Sequence, residues 1–232
     1  MSKLPTAENQ IQSFTIFEEL ISTPFHGKIN AHRWTRKLVG DFSEIVESVN
    51  FHENIMVLEE DYLLALNLSE QGNLARKTIL NDLKMLTAHG ALPVLNLIKN
   101  YERDTVKPFF PTDVYSFHVD RSPIPTSTFL CTYYGESSQI LPNAQGIKKV
   151  LVPEIREELK KNYNGPEESF EYFLREHFFD LHYEAVPDAC PISLGIGNLW
   201  KLAVDHPDSK VLPCIHRAPI ESDGQTRLLL IC

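Results

Sequence analysis

The spacing of apolar residues changes about a third of the way along the chain. Before that point the apolar positions recur with the period of an α-helix, whose buried stripe repeats about every 3.6 residues. Two groups of positions follow this period: Phe14, Phe17, Leu20 and Ile21, then Leu38, Phe42, Ile45 and Val46. A third helix is predicted from about Asn73 to Ala88, and Gly90 suits its C-terminal end. Residues 1–91 are therefore predicted to be mainly helical.

From Leu92 onward, short apolar runs are separated by Pro, Gly, Asp and Ser, which is typical of strands joined by turns. The predicted strands are Pro93 to Lys99, Val114 to Val119, Thr126 to Tyr134, Ile192 to Val204, Val211 to Arg217 and Thr226 to Ile231. Helical spacing returns at about 150–183. Residues 1–232 are predicted to form one α+β domain, in which a β-sandwich or barrel (92–232) carries a helical insertion.

Composition and charge narrow the functional classes. The chain has 232 residues, of which 43% are hydrophobic, and this is enough for a packed core. Its net charge of -9 argues against a large nucleic-acid surface, because phosphate binding needs clustered Lys and Arg. The four cysteines contain no CxxC pair, and we find neither a signal peptide nor an apolar run of about 20 residues. We expect a cytoplasmic protein without a membrane segment.

Two potential metal ligands occur in one predicted strand. His118 and Asp120 are two residues apart, so they project from the same face of a strand and can reach one ion. A hydrogen-bonded pair in a sheet is the structural alternative. The motif is short and carries a substantial risk of a chance match.

The C-terminal segment adds a third ligand and a cation. His216 lies on one predicted strand and Arg227 on the next, with Asp223 and Gly224 between them as a predicted hairpin turn. In that register position 216 lies opposite Ile231, and Arg227 shares the face of His216. A slip of one residue would reverse this result. Arg217 would point the opposite way.

This set of residues suits a particular chemistry. Two imidazoles and one carboxylate leave open coordination positions, which is the arrangement of non-haem Fe(II) oxygenases. Bidentate 2-oxoglutarate and O₂ could occupy those positions. The planar guanidinium of Arg227 suits the distal carboxylate of 2-oxoglutarate better than an ammonium group does. His177 and His182 with Glu184 could form a second metal site, but we interpret these histidines as core or surface residues.

The order of these motifs resembles that of the 2-oxoglutarate/Fe(II)-dependent dioxygenase superfamily, and residues 195–202 (GIGNLWKL) resemble the strand pair before its distal histidine. A narrower resemblance, to a bacterial family defined only as a domain of unknown function, covers most of the chain. It rests on the segments FHVD (117–120), CTYYG (131–135), HRAP (216–219) and RLLL (227–230), together with a predicted helical stretch, INAHRW (29–34).

The superfamily resemblance implies a double-stranded β-helix, a jelly-roll or cupin-like core. It implies that His118, Asp120 and His216 hold iron and that Arg227 anchors 2-oxoglutarate. The second co-substrate contact would come from one of three candidates: Tyr115, Thr132 or Tyr133. One departure is the long separation of His118 from His216, for which the helical insertion would account.

The expected function is therefore hydroxylation or demethylation of an unknown small-molecule or peptide substrate. A second hypothesis is a non-catalytic metal- or small-molecule-binding module on the same fold, with zinc in place of iron. A hydrolase that uses zinc-bound water is a third. The sequence indicates neither the substrate nor the oligomeric state.

Overall fold

A computed structural model describes residues 9–105, 109–220 and 224–232. In this described part the strands are β1 (Ile11–Phe14), β2 (Ala31–Trp34), β3 (Ile55–Val57), β4 (Val94–Ile98), β5 (Phe117–His118), β6 (Ser127–Tyr134), β7 (Gln139–Ile140), β8 (Gly146–Lys148), β9 (His182–Ala185), β10 (Ile192–Ser193), β11 (Leu199–Ala203), β12 (His216–Arg217) and β13 (Arg227–Ile231). The α-helices are α1 (Phe17–Ser22), α2 (Phe42–Ser48), α3 (Glu60–Ala65), α4 (Glu70–Ala88), α5 (Pro153–Lys161) and α6 (Phe170–Glu176). The fold is α+β, as predicted.

The strands form two sheets. One has seven strands in the order β1-β2-β11-β6-β13-β4-β3, and the other has six in the order β10-β7-β12-β5-β9-β8. Most strands pair antiparallel, but β1 and β2 are parallel. The strands β4, β5, β6 and β7 lie alternately in the two sheets, and so do β10, β11, β12 and β13. The chain therefore builds both layers together.

The alternation of side chains along β6 and β13 divides the core into two parts. Phe129, Cys131 and Tyr133 of β6 pack with Leu228 and Leu230 of β13 against the helical layer. The residues between them, Leu130 and Leu229, pack instead with residues of the six-stranded sheet. Because neighbouring residues of a strand point to opposite faces, the seven-stranded sheet has one face towards the helices and one towards the other sheet. We call the cluster that contains Leu130 and Leu229, on the face towards the six-stranded sheet, the interlayer core.

The helical layer rests mainly on α4. Ser69 caps this helix by accepting a hydrogen bond from the backbone N–H of Gly72. Ala75, Ile79 and Leu86 are buried at helical spacing and face the sheet. The predicted helix from about Asn73 to Ala88 is thus confirmed, with a start three residues earlier. A separate apolar cluster is formed around α5 and α6, which lie between β8 and β9.

Several N-terminal segments that were predicted to be helical form strands instead. Residues 29–34 were expected to be helical, but Ala31–Trp34 forms β2, which lies between β1 and β11. Phe14, assigned to a helical stripe, ends β1. The local apolar spacing fitted a helix, but the backbone of β2 pairs with a strand more than 160 residues away in sequence. Partners at that distance override local propensity.

The predicted C-terminal hairpin was also wrong. His216 pairs with His118 and Ile140 in the six-stranded sheet, whereas β13 pairs with β4 and β6 in the seven-stranded sheet. The expected partner of position 216, Ile231, lies opposite Val94 and Leu130. The connection therefore crosses between layers. Gly224 has φ +77°, as a turn residue should, and Asp223 lies outside the described residues.

Within the described residues, no helix combines the length and the apolar character needed to cross a bilayer.

Candidate metal centre

Three histidines stand side by side across the six-stranded sheet. His216 lies opposite His118 in the pairing of β12 with β5, and His118 lies opposite His182 in the pairing of β5 with β9. Residues directly opposite in an antiparallel pair share a face. On its other side His216 lies opposite Ile140, which belongs to the interlayer core. The imidazoles therefore face the seven-stranded sheet, and the ring centroids of His118 and His216 are 4.6 Å apart.

Asp120 follows β5 and completes a group of three potential ligands. Its carboxylate lies 3.9 Å from His118 Nε2 and 3.6 Å from His216 Nε2. One ligand atom from each of the three side chains lies within 4.8 Å of the others. The Thr128 hydroxyl donates a hydrogen bond to the carboxylate, and the Asp205 amide donates one of 2.8 Å to the Asp120 carbonyl. The structure thus brings together the three residues predicted as metal ligands.

Both imidazoles are oriented by backbone carbonyls. His118 Nδ1 lies 2.7 Å from the carbonyl oxygen of Ser116, and His216 Nδ1 lies 3.1 Å from that of Cys214. A proton donated from Nδ1 to a carbonyl leaves the lone pair on Nε2, and metal-ligating histidines are usually held in this way. Both Nε2 atoms face the Asp120 carboxylate.

The donor set fits a divalent transition metal. Two neutral imidazoles and one carboxylate suit Fe(II) or zinc, and they leave coordination positions for other ligands. With metal–ligand bonds of about 2.0–2.2 Å, neighbouring ligand atoms of one ion lie roughly 3–3.5 Å apart. His118 Nε2 lies 3.9 Å from Asp120 Oδ1 and His216 Nε2 lies 3.6 Å from Asp120 Oδ2, and the three ligand atoms of the group lie within 4.8 Å of one another, so the side chains would have to rotate for all three groups to reach one ion.

The local environment favours the protonation states that metal binding needs. Burial, together with the nearby His216, lowers the pKa of His118 to about 4. For Asp120, burial acts to raise the pKa, but the neighbouring His216 and the hydrogen bond from Thr128 outweigh it, and the pKa falls below its usual value. Near neutral pH, His118 is therefore neutral and Asp120 is ionised. A metal does not have to displace a proton from either of them.

Arg227 enters the interlayer space from the opposite sheet. It shares a face of β13 with Leu229, which packs in the interlayer core, and only 1% of its surface is exposed. Its Nη2 atom donates a hydrogen bond of 2.6 Å to the Ser138 hydroxyl. Ser138 is two residues before Ile140, the neighbour of His216, and two residues of a strand span roughly 7 Å. The guanidinium thus lies in the same layer as the metal ligands, although the predicted hairpin does not exist.

A glycine allows the chain to pass close to Arg227. Gly135, which follows β6, has φ +83°, and an added Cβ atom would lie 2.7 Å from the Thr226 carbonyl oxygen and 3.0 Å from the Arg227 Cα atom. Any other residue would push this turn away from the start of β13.

The three candidates for a second co-substrate contact lie in different places. Thr132 lies opposite Leu229 and so faces the interlayer core. Tyr115 packs against Tyr101, which contacts the same core. Tyr133 faces the helical layer, stacks on Phe42 and donates a hydrogen bond of 2.6 Å to Asp82. The structure corrects the expectation for Tyr133, because successive residues of β6 point in opposite directions.

A cleft opens over the ligand group. It has a volume of about 230 Å³ and is lined by Thr112, Asp113, Val114, His118, Val119, Asp120, Arg121, Phe178, Leu181 and His182. It gives access to His118 and Asp120, whereas His216 is buried. Arg217 points away from the site, as expected, and donates hydrogen bonds to Gln139.

Sequence reasoning missed Thr128 and Ser138, and it set His182 aside as a core or surface histidine. Thr128 and Ser138 are common residue types with no motif of their own, and only strand pairing shows their neighbours. His182 lies in a strand beside two other histidines, but this neighbourhood depends on strand pairing that could not be read from the sequence.

No protein-family model, curated protein or solved structure gave a significant match to this chain.

We expect Thr128→Val to weaken metal binding by roughly 10- to 100-fold, the range typical for loss of a group that orients a ligand. Valine keeps the shape of threonine but removes the hydroxyl that holds the Asp120 carboxylate. Titration of the metal-free protein with Fe(II) under anaerobic conditions measures the effect. Thr126→Val, at the exposed position just before β6, is the control, and equal affinities in the two variants would contradict the role of Thr128.

Proposed function

We propose that the two sheets form a double-stranded β-helix. If β4, β5, β6, β7, β10, β11, β12 and β13 are numbered 1 to 8, the first sheet contains the order 6-3-8-1 and the second the order 5-4-7-2. A jelly roll distributes its eight strands between two sheets in this way. Three further strands (β1–β3) extend the first sheet, and two (β8 and β9) extend the second.

We propose, further, that the protein is a non-haem Fe(II)- and 2-oxoglutarate-dependent oxygenase. The observation that carries the proposal is the grouping of His118, His216 and Asp120, each with one ligand atom within 4.8 Å of the others, with both Nδ1 atoms held by carbonyls. A ligand group of two histidines and one carboxylate is typical of this class of enzyme. The order of the sequence motifs, which involves the same residues, resembles that of the same superfamily and is consistent with the proposal.

Arg227 is the proposed anchor for 2-oxoglutarate. It supplies a buried, planar cation within the layer of the metal ligands, and its contact with Ser138 fixes the guanidinium. Thr132 and Tyr115 are the proposed candidates for a second contact. Burial at this position excludes water, which strengthens binding of a carboxylate.

The roles of the chain's own residues follow from their positions. His118, Asp120 and His216 would hold the iron, Thr128 would keep the carboxylate in place, and the cleft over Asp120 would admit the substrate. With iron bound, the chemistry supplied is the reaction of 2-oxoglutarate and O₂ with a substrate C–H bond to give succinate, CO₂ and a hydroxylated product, with one oxygen atom in each organic product.

Anaerobic titration of the metal-free protein with Fe(II) and 2-oxoglutarate tests the proposal. A weak visible absorption band should form on addition of both, and it should be lost in His216→Ala. In Arg227→Ala we expect the apparent affinity for 2-oxoglutarate to fall by about 10-fold or more, the loss typical of a buried charged hydrogen bond. Fe(II) affinity should change little, because Arg227 is not among the ligands.

Arg217→Ala is the matched control, since Arg217 adjoins a ligand but points away from the site. Two results would overturn the oxygenase proposal: no absorption band with the wild-type protein, or equal effects of the two arginine variants. Tight zinc binding by the same three ligands without the band would favour the metal-binding module instead.

A further inference from the structure

Phe178 adopts a backbone conformation that is unfavourable for its side chain. It follows α6 with φ +58° and ψ 14°, in the left-handed region that glycine or asparagine usually occupies after a helix. A bulky residue with positive φ is a genuine outlier. Such strain tends to persist at functional positions.

The strained residue lies at the cleft. Phe178 is 58% exposed, and it lines the cleft together with His118 and Asp120. Within the described residues, the rings of Phe173, His177 and Phe179 contact one another, whereas the Phe178 ring packs on no other aromatic ring. A large apolar side chain held in solvent at the entrance of a site is a suitable surface for a flat ligand.

His182 supplies a polar group in the wall of the same cleft. Only 5% of its surface is exposed, and its Nδ1 atom has no hydrogen-bond partner among the described residues. An imidazole ring has two nitrogen atoms that can take part in hydrogen bonds. A buried polar group without a partner is costly; the Nδ1 atom is closed off from solvent, so a ligand bonds to it, and gains affinity, only when the imidazole turns towards the cleft.

The rest of the cleft is small and mixed in character. Val114, Val119 and Leu181 line it, the charge of Arg121 is engaged by Asp180 and Asp205, and the Asp113 carboxylate accepts hydrogen bonds from three backbone amides. The volume of about 230 Å³ is below the 300–1,000 Å³ typical of pockets for drug-sized ligands. It suits one ring with a short substituent.

We propose that this cleft is the substrate subsite and that it selects a flat ring bearing a neutral hydrogen-bonding group, with Phe178 against the ring and His182 bonded to the substituent. As a substrate assignment it rests on the oxygenase proposal. The subsite itself can be tested without iron, 2-oxoglutarate or turnover.

The test is binding of benzamide to the full-length, metal-free protein, followed by NMR. We expect saturable binding, weakened about 5- to 10-fold in Phe178→Gly and in His182→Phe, the range for loss of one ring contact or one hydrogen bond. Cyclohexanecarboxamide, which has the same substituent on a non-planar ring, should bind the wild-type protein more weakly. Phe178→Gly should keep its melting temperature within about 4 °C, because relief of the strained backbone offsets the lost ring.

The controls separate the subsite from folding and from the oxygenase proposal. Among the residues that the structure describes, Asp188 is the other non-glycine residue with positive φ; it is exposed and does not line the cleft, so Asp188→Gly should leave benzamide affinity unchanged. Comparison of benzamide with a capped peptide that contains tyrosine shows whether the ring belongs to a small molecule or to a peptide side chain. Binding of either ligand supports the subsite. If neither ligand binds, or if both cleft variants bind like the wild type, the subsite is refuted even where the Fe(II)–2-oxoglutarate band forms.

Discussion

His118→Ala is expected to lose Fe(II) binding at ordinary concentrations, with an affinity more than about 100-fold below that of the wild type. Changes in groups that only orient a metal ligand already lower metal affinity 10- to 100-fold, and this variant removes a ligand itself. Succinate formation from 2-oxoglutarate in the absence of substrate should fall to background. Metal titration and succinate detection by NMR measure the two effects separately.

The variant should still fold, because the His118 side chain is not needed for the pairing of β5 with β9 and β12. Circular dichroism and thermal unfolding check this. His52→Ala, which changes an exposed histidine that does not line the cleft, is the control. The metal assignment would be wrong if His118→Ala retained wild-type Fe(II) affinity.

The metal ligands were accessible to sequence reasoning because the rule behind them is local. Residues two apart in a strand share a face, so His118 and Asp120 could be paired without knowledge of the sheet. The convergence of His216 was harder, since it depends on the pairing of β12 with β5. The resemblance to the order of motifs in the dioxygenase superfamily pointed to His216 as the third ligand, which residue spacing alone could not do.

Arg227 was predicted to lie on the side of the metal ligands, and it does, although the hairpin used for this prediction does not exist. The hairpin argument placed Arg227 near His216 by strand parity, but the two strands belong to opposite sheets. They nevertheless face the same interior, because each sheet turns one side towards the other. Turn signals predict where a chain reverses, but they do not reveal whether the next strand stays in the same layer.

The two N-terminal strands and the orienting residues could not be predicted from the sequence for a related reason. β1 and β2 are four residues each, and β2 is stabilised by backbone pairing with the distant β11. Thr128 and Ser138 matter only because of side chains that lie opposite them in the fold. Long-range pairing decides such features, and single-sequence patterns contain little information about it.

A buried ion pair joins the helical layer to the seven-stranded sheet. Arg36 donates a bidentate pair of hydrogen bonds to Asp82 of α4, and Tyr133 donates a third to the same carboxylate. Asp82 is fully buried and the Arg36 side chain is 12% exposed. Although burial acts to lower the pKa of Arg36, the hydrogen bonds to Asp82 outweigh it and the pKa is raised. The carboxylate therefore satisfies two groups that would otherwise be buried without a partner.

Asp82→Ala is expected to destabilise the protein by about 3–5 kcal/mol, the usual cost when one partner of a buried pair is removed. The Arg36 guanidinium and the Tyr133 hydroxyl would both lose their acceptor while remaining inside the fold. For a chain of this size, the melting temperature should fall by about 6–20 °C. Urea denaturation and thermal unfolding give the free energy of unfolding and the melting temperature.

The arrangement of the network allows a sharper test than the single variant. The double variant Arg36→Met with Asp82→Leu replaces the pair by apolar groups of similar size, and such replacements are often neutral or stabilising. We expect it to recover most of the stability lost in Asp82→Ala, because no charge is left without a partner. If the double variant is as unstable as Asp82→Ala, the cost lies in packing and in the hydrogen bonds lost by the Tyr133 hydroxyl and the Gly197 carbonyl rather than in the unpaired charge. Fe(II) affinity should be unchanged in both variants, since the network lies on the opposite face of the sheet from the metal ligands.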